Sequence, residues 1–200
     1  TTTSWAIGYT HDISVWFAKA NWDELSIIGF FTVSGFSVDD VLGVLRDKPY
    51  AYGTAFLPHD AKNKSFQTGK STREQIEAAG LKTSLVPSLS IQDGIQAVRK
   101  SLPKWYFNTA SKDVRVGVSA LKAYEREYDK RSQMFRASPK HNWASNPADA
   151  ARMLALATNP TALKQAGKAR IMTEAPPNAH MNLYNLFAER ERKKSNTGRI

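Results

Sequence analysis

An α/β domain built on a mixed sheet is the fold class this sequence predicts, and three observations carry it. Apolar, β-branched runs come first and lie close together; amphipathic stretches with cap signals follow; short strand-like runs are set between those stretches. Cysteine is absent from the 200 residues, so neither disulfides nor thiolate-bound zinc hold the fold, and the apolar core must.

Residues 5–9 and 13–19 read as strands joined by the polar turn Thr10-His11-Asp12, and 25–33 is a third apolar and aromatic run. Three consecutive strands predict an antiparallel meander. Ser37 followed by Asp40 is a capping-box start, and Val38, Val41, Leu42 and Leu45 give the next helix its apolar face. Residues 50–57 then form a buried strand that delivers Asp60. Ser71 and Glu74 open a helix ending at Gly80, and 82–86 is a short strand before Pro87, so the sheet has five or more strands. Ser90 caps a helix whose Ile91, Ile95, Val98 and Leu102 repeat at helical spacing until Pro103 stops it. Trp105, Tyr106 and Phe107 read as packing residues. A longer helix is predicted over 112–131, with Val114, Val118, Leu121 and Tyr128 on one side. Asn146 as cap and Pro147 at the first helical position open the last helix.

Hydrophobic residues make up 42% of the chain and no Gly/Ser-rich or Pro-rich linker divides it, which predicts one domain over 1–158 and a basic extension over 159–200. In that extension Leu183, Leu186 and Phe187 precede a basic run at 190–194. No segment approaches the roughly 18 continuous apolar residues of a membrane helix, and the first 17 residues lack the charged start of a signal peptide. A soluble intracellular protein is expected. Lys and Arg total 28 against 18 acids, a net charge of +10 that favours a polyanionic partner through counterion release.

Two acidic segments stand out. Leu57-Pro58-His59-Asp60-Ala61 closes an apolar run, and His141-Asn142-Trp143-Ala144-Ser145-Asn146-Pro147-Ala148-Asp149-Ala150 places a second carboxylate at a helix start. Each sets an acid where an apolar segment meets a loop or helix, as a metal-dependent phosphodiesterase requires. They occur in order with Trp5-Ala6-Ile7-Gly8, Val15-Trp16-Phe17, Thr68-Gly69-Lys70-Ser71, Asp93-Gly94-Ile95-Gln96-Ala97-Val98-Arg99 and Tyr124-Glu125-Arg126-Glu127-Tyr128-Asp129. Over residues 5 to 157 this arrangement resembles the C-terminal nuclease domain of the large terminase subunit of tailed bacteriophages.

The resemblance implies an RNase H-like fold and an endonuclease that cuts concatemeric double-stranded DNA during genome packaging in the host-cell cytoplasm. It implies Mg²⁺ or Mn²⁺ as cofactor, the small terminase subunit and portal protein as partners, no membrane, and a monomeric isolated domain without the family's ATPase motor. By the same match Asp60 and Asp149 are the catalytic, metal-binding carboxylates and Asp12 an accessory acidic position. The chain departs from the pattern at Ala6, where the family usually carries a metal-binding Asp. Gly29 and Thr32 also stand where acids are common, and Asn142 and Asn146 replace a frequent Asp and His.

The departure at position 6 bears on the chemistry. Two divalent ions roughly 3.5 to 4 Å apart stabilise the attacking and leaving oxygens of an in-line phosphoryl displacement, and they take hard oxygen ligands. A methyl group supplies none, so cleavage by this chain is expected to be weak or absent. The competing expectation is a non-catalytic module on the same fold that binds DNA or docks on the portal. Lys62, Lys64, Lys70 and Arg73 form a basic loop beside Asp60, suited to DNA phosphates. Thr68-Gly69-Lys70-Ser71 is not the end of a nucleotide-binding loop, because Lys64 stands where that motif requires Gly. His59 and His141 are expected to fix loops by hydrogen bonding.

Overall fold

A computed structural model describes residues 1–8, 12–21, 24–66 and 68–158. The extension predicted over 159–200, with Leu183, Leu186 and Phe187, lies outside the described residues. Three strands, β1 (Thr2–Ile7), β2 (Ile13–Asn21) and β3 (Glu24–Val33), make the expected antiparallel meander. Two more, β4 (Thr54–Leu57) and β5 (Lys82–Leu85), extend it in parallel beside β1. A sixth, β6 (Trp105–Phe107), pairs in parallel with β3 and closes the other edge. The order β5-β4-β1-β2-β3-β6 is a mixed six-stranded sheet.

The helices begin where side chains can satisfy their first amides. Ser37 and Asp40 complete a reciprocal capping box for α1 (Val38–Asp47), and Ser71 with Glu74 does the same for α2 (Thr72–Ala78). Ser90 accepts from the Asp93 amide ahead of α3 (Ile91–Ser101), and Ser111 from Val114 ahead of α4 (Lys112–Ala123). Gly80, at φ +87°, ends the α2 segment in a left-handed conformation that a side chain would oppose.

Alternation along the strands divides the core in two. Trp5, Val15 and Phe17 face α1 and α2 with Val41, Leu45 and Ile76, whereas Ala6, Trp16 and Phe30 face the opposite layer. That second layer is α3, α4 and α5 (Ser145–Thr158). Two buried bonds fasten α5 to the sheet: Ser4 Oγ donates to the Ala150 carbonyl at 2.5 Å, and Trp16 Nε1 to the Pro147 carbonyl at 2.9 Å.

Three expectations need correction. The helix predicted over 112–131 ends at Ala123, and the chain turns into an exposed hairpin, β7 (Arg126–Asp129) and β8 (Met134–Pro139). Alternation of charge and aromatic side chains there satisfies a two-residue period: Tyr128 stacks edge-on against Phe135, and Arg136 bridges Glu127 and Asp129. In α3 the buried positions are Gly94 and Ala97, while Ile91 is exposed, because close approach to α5 needs small residues more than large ones. The aromatic triplet at 105–107 packs as expected, Trp105 buried and Phe107 against the core, and does so as the edge strand β6, with the Tyr106 hydroxyl reaching Glu24. Asn146 lies inside α5, which starts at Ser145. Asn142 instead closes the turn before the helix, its Oδ1 accepting from the Ala144 amide at 2.9 Å while Ser145 Oγ accepts from the Asn142 amide.

Candidate active site

The topology brings the sequence-predicted acids together. β1, β4 and β5 run parallel, so their C-terminal ends share one end of the sheet, the place where open α/β sheets bind ligands. There β1 presents Ala6, and the loop after β4 turns at Pro58 into a short 3₁₀ helix (His59–Lys62) that carries Asp60. The segment from Pro87 to Ser90 leads from β5 to α3, and α5 contributes Asn146, Asp149 and Arg152. These residues line one cavity of about 260 Å³, with Ala6, Asp60 and Asp149 in its wall.

The two carboxylates differ in setting. Asp60 is exposed on its 3₁₀ turn. Asp149 is half-buried, and Arg152 donates to its Oδ1 twice, from Nη2 at 2.5 Å and from Nε at 3.1 Å. Burial pushes the Asp149 carboxyl above its ordinary value, with the positive charge and hydrogen bonds of Arg152 and the charge of His141 pulling the other way. The sequence alone does not single out Arg152. It is 9% exposed, and its stem lies against α3 at Gly94, where a Cβ would stand 3.0 Å from the Arg152 Cδ. The one signal in the sequence is the i, i+3 acid–base spacing on a helix.

The other predicted positions spread around this centre. Asp12 heads β2 at the same end of the sheet; its carbonyl accepts from the Gly8 amide at 2.7 Å and from Asn146 Nδ2 at 3.5 Å. Its side chain is not part of the cavity lining. Thr32 lies in the cross-strand row Ala6, Ser14, Thr32, and its hydroxyl is 2.8 Å from that of Ser14. Gly29 pairs with Phe17 and so shares the opposite face; a Cβ on it would press on the Phe17 ring at 3.2 Å. His59 lines the cavity and is exposed. Lys62, Lys64 and Lys70 are exposed on the loop beyond Asp60, whereas Arg73 pairs with Glu77 at 2.8 Å.

Among the described residues no group of three or more His, Cys, Asp or Glu could hold a metal ion. Two carboxylates, one already bonded to an arginine, do not make up a site for two divalent ions.

The layered mixed sheet has an RNase H-like fold, shared with the nuclease domains of large terminases. Among solved structures, the nuclease domain of the P22 large terminase matches with a TM-score of 0.55 and 15% identity, over 78% of this chain and 79% of that one. The nuclease domain of g2p, the large terminase of bacteriophage SPP1, solved with bound Mn, matches with a TM-score of 0.51 and 9% identity, over 76% and 84%. The large terminase of a thermophilic bacteriophage matches with a TM-score of 0.56 and 11% identity over 77% of this chain. That match spans 38% of the thermophilic phage's protein. Neither a known protein family nor a curated protein matches the sequence.

Proposed function

We propose that this chain is the nuclease domain of a packaging terminase, a metal-dependent endonuclease acting on double-stranded DNA whose cleavage is impaired by alanine at position 6. The observation that carries the reading is the convergence of Ala6, Asp60 and Asp149 on one cavity at the C-terminal ends of parallel strands, within this fold. Asp60 and Asp149 are its catalytic and metal-binding carboxylates, with Mg²⁺ or Mn²⁺ as cofactor and Asp12 as an accessory acid. Lys62, Lys64 and Lys70 serve as phosphate contacts, and the small terminase subunit and portal are the partners. In this reading the domain spans 1–158, is monomeric when isolated, and works in the host-cell cytoplasm.

The Asp149–Arg152 ion pair favours a second reading, in which the fold has become a non-catalytic module that grips DNA or docks on the portal. Nicking of supercoiled plasmid in Mn²⁺ separates the two. The chain as it stands should nick weakly or not at all, and Ala6→Asp should raise the rate. Robust metal-dependent nicking by the unchanged chain, abolished by Asp60→Asn or Asp149→Asn, would overturn the role given to Ala6; no gain in Ala6→Asp would favour the non-catalytic module.

A further inference from the structure

The guanidinium of Arg152 lies in the wall of the cavity beside Asp149. A buried arginine must be paired, since an unpaired charge in the interior is strongly destabilising, and Asp149 is the acid it pairs with. Both bonds fall on Oδ1, so the pairing consumes one carboxylate oxygen and leaves Oδ2 as the one facing other demands.

The surroundings hold this geometry in place. The Arg152 stem is wedged between α5 and α3 because position 94 is glycine; a Cβ there would meet Arg152 Cδ at 3.0 Å, Nη1 at 3.3 Å and Cβ at 3.4 Å. Glycine inside a helix costs stability relative to alanine, and here it opens the space that the arginine fills. Arg152 also forms the partition between the front cavity and a second one of about 210 Å³, lined by Ile95, Val98, Leu121 and Tyr124. On that side stands Tyr124, just past the end of α4, its pKa raised above the ordinary value by burial and by the charge of Asp149, with Arg152 pulling it down.

Charge counting gives the functional consequence. Asp60, Asp149 and Arg152 sum to one net negative charge at the cavity, and a restored acid at position 6 would bring it to two. One divalent ion balances that second sum, and a second ion would leave a net charge of plus two in a partly enclosed space, beside a guanidinium that cannot lose its proton.

From this we infer that Arg152 is a built-in cation of the cavity, a positioning residue that occupies Oδ1 of Asp149 and limits the site to a single divalent ion even when position 6 carries a carboxylate. The inference rests on the nuclease reading, and the two fail differently.

Mn²⁺ binding to the full chain decides it, followed by calorimetry for stoichiometry and by electron paramagnetic resonance for exchange coupling between neighbouring ions. Ala6→Asp should bind one Mn²⁺ and show no coupled pair. Adding Arg152→Met, which keeps an unbranched stem against Gly94 without the charge, should admit a second ion and its coupling signal, whereas adding Arg152→Lys should leave the count at one. Two coupled ions in Ala6→Asp alone would overturn the inference while leaving the nuclease reading intact. A single ion in the folded Ala6→Asp/Arg152→Met chain would overturn it as well. No binding by Ala6→Asp would overturn both. If the methionine variant does not fold, the count in Ala6→Asp still decides between one ion and two.

Discussion

Gly117, buried in the middle of α4, allows the helix to approach the sheet closely at Trp16 and Phe30, and replacing it by alanine tests how rigidly that packing supports the site. A Cβ at 117 would collide with Trp16 Cη2 and would stand 2.9 Å from Trp16 Cζ3 and 2.8 Å from Phe30 Cγ. Neither ring has room to yield, since Trp16 is fully buried and its centroid is 4.4 Å from that of Phe30. Moving the indole also breaks the bond from its Nε1 to the Pro147 carbonyl, which holds the first turn of α5 and with it Asp149. Alanine gains about 1 kcal/mol of helix propensity. Overpacking of a closed core costs about 3 kcal/mol at the upper end of its usual range, and the broken bond about 1 kcal/mol more. The expected net loss is therefore about 3 kcal/mol, which for a domain of this size lowers the thermal midpoint by about 6 to 12 °C. Calorimetry and urea unfolding measure it. Trp16→Phe in the Gly117→Ala background removes the colliding indole atoms, so the double variant should be more stable than the sum of the single effects. An unchanged midpoint in Gly117→Ala, or strict additivity, would refute the packing argument.

Two further outcomes follow from the surface. Converting Lys62, Lys64 and Lys70 to alanine should weaken duplex DNA binding regardless of sequence and flatten its log–log salt dependence, by about 0.9 for each phosphate no longer neutralised. Arg73→Ala should change that slope little, because its guanidinium is already paired with Glu77; a salt titration of all four variants checks this, and equal slopes would remove the loop from the DNA-facing surface. Acid should act through the helix caps. The bonds from Ser37 hold the Asp40 carboxyl below its ordinary value, and the bonds from Ser71 do the same for Glu74. Such groups contribute stability that is present above their unfolded pKa of about 4 and is lost as pH falls through the lower folded values. Asp149, raised mainly by burial, has the opposite sign: its contribution is present below the unfolded pKa and lost as pH rises through the folded one. A carboxyl NMR titration should show Asp40 and Glu74 titrating below the ordinary range and Asp149 above it; the reverse order would contradict the burial argument.

The strands and caps are legible in the sequence because each depends on local chemistry. Ser37 with Asp40 and Ser71 with Glu74 announce helix starts regardless of tertiary context, and the apolar runs of the meander can be read without knowing their partners. Sequence and structure part where a long-range partner decides the outcome. The 126–139 segment reads as helical in its first residues until its cross-strand pairs, Tyr128 with Phe135 and Arg136 with Glu127, give it a two-residue period. The face of α3 runs through Ile91 and Ile95 by spacing, but its packing against α5 selects Gly94 and Ala97. In the site, Asp60 and Asp149 stand out by the apolar context of each segment, and the resemblance to terminase nucleases is what gives them candidate roles. Arg152 cannot, because its importance lies in a burial that only the packing of α3 on α5 creates.

The two bonds that fasten α5 to the sheet also set an order of events. Ser4 and Ala150 lie 146 positions apart, whereas the meander closes through neighbouring segments of chain. Local pairings form before long loops are worth closing, so the sheet can be largely organised while one of its faces still waits for its last helix. Until α5 docks, Asp149 has no cavity to enter, Arg152 has no α3 surface to lie on, and Ala6 faces water. The acids come to a common cavity only as the final helix seats, so a nascent or damaged copy of the domain carries every residue of the site and none of its geometry.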